Sequence, residues 1–240
     1  MNMSDKKSDT PYYIGLGVII VIFGYFAVHN VIHYINKNKV VDSNRTEDRA
    51  PVADKFLKKF NKVPAFSFIN QQGDTITDQT MKGKVYIVDF FFTTCPTICT
   101  PMTQNLSQVY DRLKDNKDFA IMSVSIDPDY DSQEVLAAYA SRYQASAPTW
   151  NFVRGDKEKT YALAQKGFNA YVSPSDDEAI RFEHSGNFAL VDRNGYIRSR
   201  KVRIDKNNEN WIYHYSGVSE NDLPAQIKEI IEDAQILLNK

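Results

Sequence analysis

The sequence predicts an α/β layered domain, with a central mixed sheet flanked by helices, preceded by an N-terminal transmembrane helix. Three observations carry that reading. Strand-like and helix-like segments alternate from about residue 64 to 167, then give way to hairpin signals and a last amphipathic helix. One segment, Val85-Tyr86-Ile87-Val88-Asp89-Phe90-Phe91-Phe92, is apolar on both faces apart from Asp89, as a central strand should be. Finally, no charged side chain occurs from Pro11 to Asn36.

The apolar run from Tyr12 to Ile35 spans about 24 residues, enough for the ~20 that cross a bilayer as a helix. Tyr12, Tyr13 and Tyr34 stand where interfacial aromatics belong. A cleaved signal peptide is the competing reading, with Lys6 and Lys7 as its basic end. The run is long for a signal core, and no small-x-small cleavage site follows Ala27. Lys6 and Lys7 precede the segment while Lys37, Lys39 and Arg45 follow it, so charge does not choose an orientation. Residues 36–62 are polar, with a short helix expected around Ala53 to Phe60, and read as a linker. The domain is expected over residues 63–240.

Within it, Ala65 to Ile69 alternates like a strand and Gln72-Gly73-Asp74 is a turn. After the central strand, a helix from about Ile98 to Lys114 puts Met102, Leu106, Val109 and Leu113 on one face. Phe119 to Ile126 is the next strand, ended by Asp127-Pro128-Asp129. A helix over Gln133 to Tyr143, a strand at Trp150 to Val153, and a helix capped by Asp156 and running to Gly167 follow. Ile180 to Glu183 and Asn187 to Val191 look extended. Asp192 to Gly195 forms a turn, Tyr196 to Ile204 continues as a strand, and the last helix covers about Leu223 to Leu238 with Pro224 in its first turn.

Charge is balanced, 29 basic against 30 acidic side chains, which argues against a nucleic-acid or other polyanionic partner. Two cysteines in 240 residues exclude a disulfide scaffold. They are Cys95 and Cys99, at the junction of the central strand and the helix after it. Backbone N–H groups and the positive end of the helix dipole stabilise thiolate there, and thiolates bind soft metals. Residues i and i+4 of a helix have Cβ atoms about 5–6 Å apart, whereas a relaxed disulfide needs about 3.8 Å. Bonds of about 2.3 Å from each sulfur to a metal span the wider gap, so the spacing favours metal, and a disulfide stays open only through a distorted first turn. A third ligand must come from elsewhere. His29 and His33 belong to the membrane segment; His184, at a strand-to-loop junction, and His214, in the aromatic stretch Trp211 to Tyr215, both stay open on the residues alone.

Three motifs in order then bring a family into view: Phe92-Thr93-Thr94-Cys95-Pro96-x-x-Cys99; Ser123-Val124-Ser125-Ile126-Asp127-Pro128-x-x-Asp131; and His184 ahead of Phe188-Ala189-Leu190-Val191-Asp192-x-x-Gly195. Together they resemble the Sco/SenC family over about Pro64 to Leu238. The resemblance implies a thioredoxin-like fold, an arrangement that fits the order of elements without being singled out by it. It implies Cys95, Cys99 and His184 as ligands of one copper ion, Cu(I) or Cu(II), and no catalytic residues. It further implies a role in assembling the CuA centre of cytochrome c oxidase, with the oxidase subunit that carries CuA as partner. A copper function of this kind would put residues 1–11 in the cytoplasm. The domain would lie on the periplasmic side of a bacterial inner membrane, since the first ten residues lack the Arg of a mitochondrial leader. Two positions depart from the family pattern. Thr100 separates Cys99 from Pro101, and Thr97 stands where an acidic residue is common.

A thiol-disulfide oxidoreductase that reduces target cysteines, and a copper or redox sensor, use the same residues and are the alternatives to a chaperone. Asp89, six residues before Cys95, matches the buried aspartate of thioredoxins and is a candidate for tuning the thiols; a strand-end carboxylate with a local partner is the plainer reading. Asp127 and Asp131 are expected at a strand-to-helix junction near the same face.

Overall fold

The computed structural model describes residues 24–26, 56–175, 182–203, 211–219 and 224–239. The chain divides into two units, residues 1–49 and 50–240. In the first, residues 24–26 are helical. The rest of the expected membrane span over residues 12–35 lies outside the described residues, and among these no helix is long and apolar enough to cross a membrane.

In the second unit, β1 (Lys58–Lys62), β2 (Ser67–Asn70) and β3 (Thr75–Thr77) lead to β4 (Val85–Phe91). α1 (Cys99–Leu113) crosses to β5 (Phe119–Ser125), α2 (Gln133–Arg142) to β6 (Trp150–Arg154), and α3 (Lys157–Ala162) runs into a π-type turn at Leu163–Gly167. β7 (Val172–Pro174), β8 (Phe182–His184), β9 (Asn187–Val191), β10 (Tyr196–Ser199), β11 (Val202–Arg203), β12 (Trp211–Ile212) and β13 (Tyr215–Ser216) follow, and α4 (Ile227–Leu238) ends the fold.

The main sheet has the order β1-β10-β9-β4-β5-β6-β2-β3, with β13 added beside β9; β7–β8 and β11–β12 are separate pairs. β4, β5 and β6 run parallel at its centre, and the strands outside them are antiparallel. Every residue of β4 and of β5 is buried, which requires cover on both faces. The helical crossovers that parallel strands need supply part of that cover. Phe91 and Phe152 pack on Tyr139 of α2, and Trp150 packs on Tyr110 of α1. On the opposite face Phe90 meets Phe168 just after the π-type turn. The apolar stripe expected on α1 is the buried one, Met102, Leu106, Val109 and Leu113. Each such side chain contributes about 1.5–3 kcal/mol by leaving water. Asp156 caps α3 as expected, accepting from the Lys159 N–H at 2.9 Å.

Several expectations are corrected. Lys58–Lys62, assigned to the linker on composition, is an edge strand paired with β10. Of the short helix expected around Ala53 to Phe60, Phe56 is helical, residues 53–55 lie outside the described residues, and the strand takes the part from Lys58. Lysines on an edge strand keep its outer side from pairing with another chain, so a strand and a tether look alike in composition. Leu57 is buried just before it, and its carbonyl accepts from Arg198 at 2.9 Å. The strand expected over Tyr196 to Ile204 breaks at Arg200, because that guanidinium turns toward α4 to meet Asp233 and Glu232. Trp211 to Tyr215 is two short strands with His214 in the turn between them. Of the strand expected over Ile180 to Glu183, residues 180 and 181 lie outside the described residues; the rest is strand, runs on to His184 and forms an unforeseen antiparallel pair with β7. α4 starts at Ile227, not Leu223; the Gln226 side chain before it is engaged by the Ser216 N–H at 2.6 Å.

α4 is tied to the sheet by Asp233, which is wholly buried. It accepts from Tyr215 Oη at 2.6 Å and Arg200 Nε at 2.7 Å. Asp233→Ala would strand both donors, and unfolding in urea should show a loss of about 3 kcal/mol. Tyr215→Phe, which deletes a single donor, should cost about 1 kcal/mol.

Candidate metal centre

The carboxyl ends of β4 and β5 lie side by side, Phe91 opposite Ser125. Such parallel strand ends open a crevice, the usual place for a ligand in an open α/β sheet. The chain leaves β4 through the buried Phe92, turns with the Cys95 N–H donating to the Phe92 carbonyl at 3.2 Å, and enters α1 at Cys99. Cys95 therefore sits in the turn and Cys99 is the first residue of the helix, so the helical i,i+4 separation assumed from spacing does not describe the pair. Both cysteines are free thiols; Cys95 is half-buried and Cys99 buried.

His184 arrives from the other side of the fold, at the end of β8. Its Nε2 lies 3.1 Å from Cys99 Sγ. Nδ1 faces the Ser185 carbonyl at 3.3 Å. A carbonyl only accepts, so Nδ1 is the donor in this contact, while Nε2 faces the sulfur. The ring stands edge-on to Phe92, which Phe182 packs against in turn. Gly217 clamps the loop that follows: its N–H donates to the Gly186 carbonyl at 2.6 Å, and its own carbonyl accepts from Asn105 of α1 at 2.8 Å. A Cβ at Gly217 would stand 2.5 Å from the Phe188 ring and 3.0 Å from the Gly186 oxygen, so only glycine lets the histidine loop and the cysteine helix approach this closely.

Cys95 Sγ, Cys99 Sγ and a ring nitrogen of His184 all lie within 4.8 Å of one another. The sequence-expected triad thus comes together. Among the described residues it is the only such group of three or more. His214 is not part of it; that half-buried ring lines a cavity of about 450 Å³ with Phe90, Phe168 and Phe188. Burial pulls its pKa down. His29 and His33 lie outside the described residues.

The two thiols are electrostatically unequal. Cys95 is held down at about 3, chiefly because the Cys99 thiol donates to it; burial opposes this, while His184 and the N–H groups of Thr97 and Cys99 add to it. Cys99 is pushed far up by burial and by the neighbouring Cys95 sulfur. The pair therefore holds one thiolate, half-exposed at Cys95, and one proton on Cys99, donated toward Cys95. Beneath them Asp89 is fully buried and accepts from Ser123 Oγ at 2.6 Å. Ser123 Oγ in turn accepts from Trp150 Nε1 at 3.0 Å. Burial raises Asp89 to about 7, against the pull of the Ser123 hydroxyl and of His184.

The donor set is two sulfurs and one imidazole nitrogen, soft ligands suited to copper or zinc more than to magnesium or calcium. A metal with bonds of about 2.3 Å to sulfur and 2.0–2.1 Å to nitrogen, the zinc figures, fits among atoms this far apart after small side-chain shifts. Only three ligands converge, so a closed four-ligand structural zinc site is not formed by the described residues. Two contributors were not expected from sequence: Phe92, which orients the His184 ring, and Thr93, whose N–H and hydroxyl bond Asp131. The first is hidden within an apolar run; the second needs the fold to bring residues 93 and 131 together.

A family model described as SCO1/SenC matches residues 55–213. An SCO1 protein homolog of Bacillus subtilis (strain 168) is 35% identical over 140 residues, covering 57% of this chain and 71% of its own. Among solved structures, BsSco, described as a member of the Sco family of cytochrome c oxidase assembly proteins, superposes with a TM-score of 0.59 at 30% identity, over 74% of this chain and 93% of its own. Bradyrhizobium japonicum ScoI, solved with copper bound, gives 0.54 at 20% identity, over 74% and 99%; at that identity the likeness shows the fold alone. The mixed sheet between helices, with these neighbours, fits the α/β thioredoxin-like fold.

Two outcomes follow from the electrostatics. In the reduced, metal-free chain iodoacetamide should label Cys95 at least about tenfold faster than Cys99, and the Cys95 rate should hold from pH 8 down to pH 5, because thiolate is the reacting form; peptide mass spectrometry reads both. Asp89 binds its proton more tightly folded than unfolded, so stability falls as pH rises from about 4 through about 7. Asp89→Asn, which still accepts from Ser123, should therefore match the parent near pH 4 and exceed it by roughly 2–4 kcal/mol at pH 8 in urea unfolding.

Proposed function

The chain belongs to the SCO1/SenC family, and from that premise we propose that it is a copper carrier: Cys95, Cys99 and His184 hold one copper ion and hand it on to the CuA site of cytochrome c oxidase. Copper is cargo in this reading. The observation that carries it is the convergence of two thiols and one imidazole from separate parts of the chain, within 4.8 Å, at one strand-end crevice. Two sulfurs with one nitrogen suit Cu(I) and also hold Cu(II). The description of BsSco as a cytochrome c oxidase assembly protein supports the same destination.

The geometry suits transfer. Cys99 is buried and anchored on α1, and His184 is fixed by Phe92 and the Gly217 clamp. Cys95 is the half-exposed member, carried on a turn. It is the ligand an acceptor can reach first, and its thiolate needs no base to make it ready. The apolar run over residues 12–35 anchors the carrier in a bacterial inner membrane. The domain works on the periplasmic side, where the oxidase subunit carrying CuA is its partner.

One observation also favours thiol-disulfide exchange: a low-pKa, accessible Cys95 beside a buried Cys99. The Cys95 thiolate would attack a target disulfide, releasing one target thiolate and forming a mixed disulfide. Cys99, once deprotonated, would displace the second target thiolate as the Cys95–Cys99 disulfide closes. Two electrons would pass to the target; Cys99 releases the one proton the pair holds, and solvent supplies the second proton that two target thiols take up.

Anaerobic copper titration of the reduced chain separates the readings. The carrier reading expects one tight copper per chain, weakened at least about a hundredfold by Cys95→Ser, Cys99→Ser or His184→Ala, and unchanged by His214→Ala. Loose copper binding that these variants leave alone, with fast reduction of a test disulfide, would replace it by the exchange reading.

A further inference from the structure

Outside the triad, the most fully engaged polar side chain at the crevice is Asp131, which is wholly buried in the loop between β5 and α2. Its carboxylate accepts from the Thr93 N–H at 3.3 and 3.4 Å and from the Thr93 hydroxyl. It also accepts from Ser125 Oγ at 2.5 Å. Its own N–H donates to the Asp127 carbonyl at 2.9 Å, and the Ser125 hydroxyl accepts from the Asp127 N–H at 3.1 Å. One carboxylate thus binds the last residue of β5 and the residue two before Cys95, while the Asp131 N–H and the Ser125 hydroxyl hold Asp127 in the loop between them.

We infer that Asp131 is a positioning residue for the Cys95 arm of the metal site, acting through Thr93. The inference rests on the copper reading above. Cys99 is held by the start of a 15-residue helix and His184 by a strand, an aromatic edge and a glycine clamp. Between the end of β4 and α1 the chain has no strand or helix of its own, apart from the turn that closes Cys95 onto Phe92. Asp131 ties that segment across to the neighbouring strand end through Thr93. A backbone N–H and a hydroxyl on the same residue fix both its position and its rotation, which sets the direction in which Cys95 departs. A carboxylate is suited to this because it accepts three or four hydrogen bonds and donates none.

Thr93 makes the test selective. Thr93→Ser keeps both donors and Thr93→Val keeps only the N–H, while neither touches a ligand; Asp131→Ala removes the anchor outright. Copper affinity and the thiolate-to-Cu(II) absorption band would be measured on the full chain in mild detergent. A second readout needs no metal: the equilibrium of the Cys95–Cys99 pair against a glutathione redox buffer, which depends on how the two sulfurs are placed. The expected result is that Thr93→Val and Asp131→Ala weaken copper at least about tenfold, shift the band, and move the glutathione equilibrium at least about fivefold. Thr93→Ser should stay within about twofold of the parent on all three, and the urea midpoint of Thr93→Val should stay near the parent's. If Thr93→Val matches the parent in copper affinity, band and glutathione equilibrium, Asp131 is an anchor of the fold alone and the inference is wrong. Should the parent bind no copper, the carrier reading fails by itself, and the glutathione equilibrium still decides whether Asp131 places Cys95.

Discussion

The parallel pairing of β4 with β5 is the constraint on which the rest of the structure depends, because it fixes where three unrelated stretches of chain must meet. Both strands are buried along their full length, so each has to be covered on two faces and linked by a helix. The crossover helix α1 can only begin where β4 ends, and that is where Cys99 stands. The same pairing sets Asp89 opposite Ser123 and Phe91 opposite Ser125, placing one polar pair beneath the thiols and a second hydroxyl beside the turn. Antiparallel β9 on the other flank brings the chain back to β4 just after His184. The metal centre is thus a consequence of sheet order, completed by small local devices.

Those devices divide the labour unevenly. Cys99 pays for its burial by keeping its proton, and that proton is what stabilises a thiolate on the more exposed Cys95. A site of this kind binds a soft cation through an arm that a partner can approach while the other two ligands stay fixed. The same asymmetry describes a competent thiol reductant, which is why the fold alone does not separate the two chemistries and why the number and nature of the ligands carry the argument.

Much of this was legible in the sequence, for identifiable reasons. The central strand, α1 and its buried stripe, the Asp156 cap, and the turn at Asp192 to Gly195 depend on local periodicity or on one residue's backbone preference. The triad was legible only in part: the cysteine pair announces itself, but choosing His184 over His214 needed family resemblance, since both lie among aromatic and extended residues. What could not be read depends on partners distant in sequence. Lys58–Lys62 is a strand because β10 pairs with it, and β10 stops because Arg200 reaches Asp233. The Thr93–Asp131 contact and the Gly217 clamp join residues 38 and 31 positions apart, beyond any periodicity.

X-ray absorption at the copper edge of the loaded chain reads whether two sulfurs and one imidazole hold copper together. Two sulfur scatterers and one nitrogen scatterer with imidazole outer-shell features are expected per copper, with one sulfur lost in Cys95→Ser and the imidazole signal lost in His184→Ala. A spectrum with at most one sulfur, or one that neither substitution changes, would contradict it.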